Sequence, residues 1–269
     1  MTLLITGSTG FLGSELVNVL ASQGESFDVL ARNGIFRSGK KVLECLFNLA
    51  EFQIPSSKDL VGYSQLVHLA WNGLPNYESK VHLRQVGAHK QLVLNAVDAG
   101  IEAIFVSGTC LEYGLREGAL STSSVAQPTT AYGHAKIQLL QFLQSLKKTR
   151  IFTYAWGRFF YLYGGNQNAT SLYPSIQRAI KVGAPLQLLT NGMQIRDFIS
   201  VQDATFAILK ILREGCDQEI VNVGSGNPIR VKDWVNAQIP PDSGSTIETS
   251  PELWPNYEPF AAWAADPFN

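Results

Sequence analysis

Short apolar runs alternate with stretches of helical period over the first two-thirds of the chain. TLLIT (2–6) has no polar face, which predicts a buried strand. GSTGFLG turns the chain into an apolar-periodic helix through about Leu20. FDVLA (27–31) predicts a second strand, KVLECLF (41–47) a weaker third and QLVHLA (65–70) a fourth. A helix from about Ser79 to Ala99 stops at Gly100, a residue suited to the left-handed position after a helix. AIFVSG (103–108) is the next strand, Thr130 to about Lys148 the next helix, and FTYAWGRFF (152–160) closes the series. Strands alternating with helices of this length predict an α/β fold with a parallel sheet, whose ligands bind beyond the carboxyl ends of the strands.

After Gly164 the pattern loosens into loop-rich segments such as GGNQNATSLYPS, VGSGNPIRVKD and IPPDSGSTIETSPELWPNYEP. They predict a smaller C-terminal lobe built partly from loops. The division is 1–163 for the first domain and 164–269 for the lobe, with the chain crossing back to the first. No internal repeat or low-complexity tract interrupts either part.

Composition narrows the class. A formal net charge of −1 over 269 residues gives no basic face for nucleic acid, so none is expected as a partner. Cys45, Cys110 and Cys216 are too scattered for a disulfide framework or a metal site, and they point to a reducing, cytoplasmic compartment. No metal ligand set is visible. The chain begins MTLLITG without a basic leader, and no apolar run approaches the ~20 residues that span a bilayer, so no membrane association is expected.

Candidate chemistry begins at TGSTGFLG, which sets Gly7, Gly10 and Gly13 at GxxGxxG spacing between the first strand and first helix. The early glycines permit a tight turn and close approach of backbone N–H groups to a pyrophosphate. Gly13 lets the helix pack closely on the sheet, and the helix N-terminus favours the anion. The cofactor-binding candidates of this turn are Gly7, Thr9, Gly10, Phe11, Leu12 and Gly13. A fold of this kind that prefers NAD carries an acid at the exit of the second strand. Here the strand ends VLARN, with Ala31 in that place and Arg32 after it, while Asp28 lies inside the strand. A guanidinium suits a 2′-phosphate, so Arg32 favours NADP(H) over NAD(H); the alternative is a solvated surface arginine.

In TTAYGHAKIQLLQF (129–142), Tyr132 and Lys136 are four residues apart and share a helical face, whereas His134 points away from both. An ammonium beside a phenol lowers its pKa, and such a tyrosine exchanges a proton with a carbonyl or alcohol oxygen. His134 is read as a surface or interface residue. VSGTCLEYG places Thr109 at the end of its strand, on the ligand side, able to hydrogen-bond the same oxygen. The catalytic candidates are Thr109, Tyr132 and Lys136.

With these motifs the chain resembles the extended short-chain dehydrogenase/reductase family, the NAD(P)-dependent nucleotide-sugar epimerases, dehydratases and reductases. The resemblance runs from residue 3 to about 235 through TGxxGxxG (6–13), HLA (68–70), TCLEYG (109–114), YxxxK (132–136), GRFFYLYG (157–164) and RDFISVQD (196–203). It implies a Rossmann doubly wound parallel sheet with a small sugar-nucleotide lobe. It adds Leu69 and Ala70 to the cofactor side, and it implies that Lys136 and Tyr132 meet the nicotinamide ribose. Arg196 matches the family arginine that grips the substrate diphosphate; the alternative is an ion pair with Asp197 or Asp203. Family members often dimerise through the YxxxK helix, so a homodimer is expected.

The departures select the reaction. Family dehydratases carry Asp-Glu after the Ser/Thr, but here Cys110-Leu111 follow Thr109, and leucine transfers no protons. Epimerase-reductases use a cysteine two positions on, which is again Leu111, so Cys110 is read as packing. Tyr161 stands where epimerases commonly carry an asparagine. HLAWNGLPNY (68–77), GTCLEYG (108–114) and YEPFAAWAAD (257–266) look like reductases of 4-keto-6-deoxy nucleotide sugars. The expected activity is NADPH-dependent reduction of the 4-keto group of a dTDP- or CDP-linked 4-keto-6-deoxyhexose. Trp71, Asn72, Tyr77, Tyr161 and Arg196 are the substrate-side candidates, the first three alternatively an ordered aromatic loop. The rivals are an NAD-dependent nucleotide-sugar 4-epimerase and a non-catalytic NADP sensor on the same fold.

Overall fold

The structure, a computed structural model, describes residues 2–251 and 258–268. In order along the chain, the first part comprises β1 (Leu3–Thr6), α1 (Phe11–Ser22), β2 (Phe27–Ala31), β3 (Gly34–Arg37), β4 (Lys40–Leu43) and β5 (Gln65–His68). It continues with α2 (Val81–Arg84), α3 (Val86–Asp98), β6 (Ala103–Thr109), β7 (Gly118–Leu120), α4 (Ala131–Lys147) and β8 (Thr153–Phe159). The remainder is β9 (Tyr161–Tyr163), α5 (Leu172–Val182), β10 (Leu186–Leu188), β11 (Ile195–Ser200), α6 (Val201–Arg213), β12 (Glu219–Val223), β13 (Pro228–Arg230), α7 (Val231–Gln238), β14 (Ile247–Thr249) and β15 (Ala262–Ala264).

Eight strands form the central sheet in the order β12-β8-β6-β5-β1-β2-β3-β4. Six of them run parallel, and the β2–β3 and β3–β4 pairs are antiparallel. This is the Rossmann-like doubly wound sheet that the alternation predicts. Period-2 alternation within the strands feeds two cores. Leu4, Leu66, Ile104 and Val106 pack with Leu92, Leu139 and Leu143 of α3 and α4. Leu3, Ile5, Val67 and Phe105 pack with Leu16, Leu20, Ala204 and Ile208 of α1 and α6 on the other face.

One expectation needs correcting. The run 41–47 is not a third parallel strand; β4 is the outer strand of an antiparallel hairpin, and β3 was not foreseen. Two tight turns explain it. Ala31 pairs with Gly34 across Arg32-Asn33, and Arg37 pairs with Lys40 across Ser38-Gly39, where both φ angles are positive (47° and 78°). The Ser38-Gly39 turn matches the twist of its flanking strands and folds the chain back at once. The helix foreseen over 79–99 is also broken at Gln85, whose buried amide donates to Asn72 O at 2.9 Å and accepts from Asn72 N at 3.3 Å.

Beyond the sheet's carboxyl edge, β9, β11 and β13 form a small sheet, with β10–β14 and β15–β7 as two-stranded pairs. Trp234 anchors this lobe, stacked on Phe198 at 4.0 Å and edge-on to Tyr163 at 5.0 Å. β12 completes the main sheet beside β8. Asn222 of β12 ties the two parts together, accepting from Tyr113 Oη at 2.7 Å and donating to Leu120 O and Asp266 Oδ1.

The glycine turn is fixed by backbone contact. At φ +77°, a Cβ on Gly7 would lie 2.5 Å from Ala70 N, and one on Gly13 would lie 2.1 Å from Gly7 O. Gly13→Ala is therefore expected to lower unfolding free energy by about 1–3 kcal/mol in urea titrations, since backbone cannot yield as a side chain does. Gly165→Ala, with nothing within 4 Å, is the neutral control. Equal stability of the two variants would contradict this account of the turn.

Candidate active site

The carboxyl ends of the parallel strands lie on one side of the sheet, with β6 and β8 running three residues beyond β1 and β5, and the candidate site is there. Thr6 pairs with His68, and Thr109 with Phe159, so the loops after β1, β5, β6 and β8 open on one edge. Gly10 is the N-cap of α1 and no side chain caps that end. The amides of Phe11, Leu12 and Gly13 at that end therefore have no intrahelical partner. Leu69 and Ala70 form the opposite wall, and Ala70 N donates to Thr6 Oγ1 at 3.2 Å. Gly7 packs directly against the Ala70 backbone and Gly13 against Gly7, which brings the glycine turn and the HLA segment together.

Thr109 ends β6 and caps the short 3₁₀ turn 110–113. Its hydroxyl accepts from Leu111 N at 3.3 Å, and its own N–H donates to Glu112 Oε1 at 2.9 Å. Glu112 is wholly buried and held from β8 by Arg158 Nε at 2.7 Å and Trp156 Nε1 at 2.9 Å. This buried ion pair braces the backbone at Thr109. Its members were not singled out in the sequence, although a Glu and an Arg within such apolar stretches (TCLEYG, WGRFF) were the available signal.

Tyr132 sits in the first turn of α4, which Thr130 caps through Gly133 N at 3.0 Å. Its N–H donates to Tyr77 O at 2.9 Å, and its ring is enclosed by Trp71, Tyr77 and His82 at centroid distances of 5.7, 5.8 and 5.1 Å. Burial, with smaller contributions from Tyr77, Glu112 and Cys110, pushes the Tyr132 phenol well above its ordinary range. This reverses the expectation of a phenol acidified by Lys136. Lys136 Nζ lies 5.5 Å from the Tyr132 ring centroid but donates to Ser107 O at 2.6 Å and lies over the Trp71 ring at 3.7 Å. Desolvation dominates for the lysine too, lowering it to about 7. Burial outweighs one neighbouring charge here. His134 is exposed on α4, clear of these groups.

Asp28 is buried and fully engaged, accepting from Arg37 Nε at 2.7 Å, Arg37 Nη2 at 2.8 Å and Tyr63 Oη at 2.6 Å. Arg32 stands exposed in the two-residue turn that follows β2. On the substrate side, Arg196 is buried and pairs with Glu258 Oε2 at 2.8 Å, with its guanidinium 4.7 Å from the Tyr161 ring centroid. Asp197, one foreseen alternative partner, instead accepts from Ser225 N, Gly226 N and Ala264 N. Asp203, the other, is held by Ser200 Oγ at 2.7 Å.

Burial also raises the Cys110 thiol, which stays protonated beside Glu258 and Arg196. Burial first, with Cys110 and Glu258 adding to it, raises the Tyr161 phenol well above its ordinary range. Trp71 and Asn72 begin the loop after β5; Trp71 faces Lys136 and Tyr132, and Asn72 is clamped by Gln85. Tyr257 of the YEPF motif lies outside the described residues. Among the described residues no cluster of three or more His, Cys, Asp or Glu could hold a metal, and no helix is long and apolar enough to cross a membrane.

In the comparison with known families, the epimerase model matches residues 3–224. The chain belongs to the NAD dependent epimerase/dehydratase family. Curated members include the dTDP-6-deoxy-L-talose 4-dehydrogenase (NAD(+)) of Aggregatibacter actinomycetemcomitans, 27% identical over 275 residues, covering 98% of this chain and 100% of that protein. The dTDP-D-glucose 4,6-dehydratase of Homo sapiens is 22% identical, covering 94% of this chain and 77% of the human protein. An NAD dependent NDP-hexosamine 5,6-dehydratase involved in tunicamycin biosynthesis superposes with a TM-score of 0.81 at 22% identity, over 99% of this chain and 89% of that one. The Streptomyces venezuelae dTDP-glucose 4,6-dehydratase, solved with NAD bound, gives 0.78 at 20% identity, over 99% and 88%. These two structures share the fold of this family member.

Proposed function

We propose that this enzyme reduces the 4-keto group of a nucleotide-linked 4-keto-6-deoxyhexose, a dTDP- or CDP-sugar, with NADPH. The observation that carries the reading is Tyr132: a phenol in the first turn of α4, one helical turn from Lys136 and enclosed by Trp71, Tyr77 and His82, which burial keeps protonated. A reductase needs its tyrosine as the acid, and that is the form this environment favours. Gly7, Gly10 and Gly13 would hold the pyrophosphate, with Thr9, Phe11, Leu12, Leu69 and Ala70 around the dinucleotide. When bound, the nicotinamide supplies the hydride for the sugar C4.

The chain's own groups do the rest. Tyr132 hands its phenolic proton to the oxygen of the reduced carbonyl, and Thr109 Oγ1, on its braced backbone, donates a hydrogen bond that orients that oxygen. Lys136, as an ammonium, holds the ribose and stabilises the phenolate left on Tyr132 after transfer. Arg196 meets the diphosphate, exchanging Glu258 for phosphate oxygens, while Tyr161, Tyr77 and Asn72 border the sugar. Leu111, buried where a second acid would stand, supports simple reduction over elimination or epimerisation. Three free cysteines accord with a cytoplasmic location, and the α4 face bearing exposed His134 is the proposed homodimer surface.

The test is incubation with NADPH and a panel of 4-keto-6-deoxy nucleotide sugars, following loss of reduced-nicotinamide absorbance. Interconversion of sugar-nucleotide isomers without NADPH consumption would replace this reading with the epimerase. Arg32 supports NADPH because its guanidinium is exposed at the strand exit while Asp28 is committed to Arg37 and Tyr63. Arg32→Ala is expected to weaken NADPH binding about tenfold by fluorescence titration and leave NADH unchanged, the loss of one charge-assisted contact. A wild-type protein that prefers NADH, as the name of the Aggregatibacter relative indicates for that enzyme, would assign NAD instead.

A further inference from the structure

Lys136 rests on an arrangement that its helix does not provide. The ammonium lies over the Trp71 indole at 3.7 Å, and the indole is itself held from two directions. Trp71 Nε1 donates to His82 Nδ1 at 3.0 Å, and His82 Nε2 meets Asn76 O at 2.7 Å. A carbonyl only accepts, so Nε2 carries the hydrogen and Nδ1 is the acceptor that fixes the indole. His89 stacks on the same indole at 4.1 Å with an interplanar angle of 16°. Gln85 clamps both backbone groups of Asn72, the next residue along, so the loop that presents Trp71 is a built support.

From this geometry we propose that Trp71 is a positioning residue for Lys136. Its indole face, locked by His82 and His89, sets where the lysine ammonium sits and keeps it charged at the cofactor crevice. The role deepens the reductase reading and rests on it for the identity of the ligand that Lys136 meets. The physical need is clear: a fully buried ammonium whose hydrogen bonds, among the described residues, go only to Ser107 O at 2.6 Å and Ser107 Oγ at 3.4 Å is short of solvation. The π face of a desolvated tryptophan supplies part of what water would. Other groups act on the same charge. Glu112 of the 3₁₀ turn favours the ammonium, while His68 of β5 and His89 of α3 are themselves held neutral beside it. Tyr132 on the same helix and Trp156 of β8, at 6.0 Å, complete the surroundings among the described residues.

The test reads the lysine directly, in the full chain without added ligand, by NMR of protein carrying lysine labelled at the ε carbon. The Lys136 signal is identified by its loss in Lys136→Arg. In the wild type its ε protons are expected to be shifted upfield by the indole ring current. Trp71→Phe is expected to keep a reduced upfield shift and a titration midpoint near that of the wild type. Trp71→Leu is expected to abolish the upfield shift and move the midpoint down by about one pH unit. A near-ultraviolet spectrum and melting curve confirm that both variants are folded.

NADPH binding followed by fluorescence across pH supplies the functional readout, and its loss with rising pH is expected about one unit earlier in Trp71→Leu. A wild-type lysine without the ring-current shift, or a midpoint in Trp71→Leu that is unchanged or raised, would overturn the proposal. So would NADPH binding whose pH dependence ignores Trp71→Leu. A wild type that shows the lysine signature and binds no nicotinamide cofactor would defeat the reductase reading while upholding the lysine's placement on Trp71.

Discussion

Tyr132→Phe is expected to lower the turnover number for NADPH-dependent keto-sugar reduction by about 10³-fold, within the range for loss of a positioned acid. Binding of NADPH should change little, because the ring keeps its contacts with Trp71, Tyr77 and His82 and the backbone N–H still meets Tyr77 O. The loss should therefore appear in kcat and leave KM nearly unchanged, the pattern of an interaction made only in the transition state. Steady-state kinetics at several sugar concentrations check it. Retention of the full biological activity in this variant would favour the sensor reading.

Acid is expected to destabilise the fold steeply, and the cause is the buried histidine pair beneath the crevice. Thr6 Oγ1 meets His68 Nδ1 at 2.7 Å, and His68 Nε2 meets His89 Nδ1 at 2.7 Å, both rings being inaccessible to water. Desolvation first, with Lys136 adding to it, lowers His68 from 6.5 to about 3. His89 is driven well below 6.5 by burial, by His68 and by Lys136. The sign follows from proton counts. Below about pH 6 the unfolded chain binds a proton at each histidine, while burial opposes protonation of both in the native chain. Stability is therefore complete above the unfolded value and falls with pH until the native value is reached. Two such protons correspond to a slope of roughly 2.7 kcal/mol per pH unit. One or two units of acid would then remove much of the 5–15 kcal/mol typical of a domain. Urea titrations at pH 7, 6 and 5 measure the slope, and His89→Gln should reduce it by about one proton. A wild-type stability that is flat over this window would show that the pair is not held neutral.

What was readable in the sequence was what depends on neighbours along the chain. Gly7, Gly10 and Gly13 follow a strand and open a helix, so their role is written in eight residues. Tyr132 and Lys136 share a face because they are four apart, and Thr109 ends a strand whose apolar run is plain. The hairpin over 34–43 was hidden because KVLECLF has the composition of a buried strand, although Asn33-Gly34 and Ser38-Gly39 mark its turns. The rest required tertiary contact. Ser107 meets Lys136 from 29 positions away, Arg158 meets Glu112 from 46 and Glu258 meets Arg196 from 62. The protonation of Tyr132 was misjudged for the same reason: helical spacing shows a neighbouring charge, while desolvation is a property of everything packed around the ring.

Isotope transfer tests most directly whether a hydride arrives at one sugar carbon as Tyr132 releases its proton. The enzyme is given NADPH deuterated at C4 of the nicotinamide, on the transferring face, with a dTDP-linked 4-keto-6-deoxyhexose, and the product is read by NMR. One deuterium at sugar C4 for each NADPH oxidised, with the rate lost in Tyr132→Phe, is the predicted result. A product free of deuterium, or isomerised sugar with the cofactor still reduced, would contradict it.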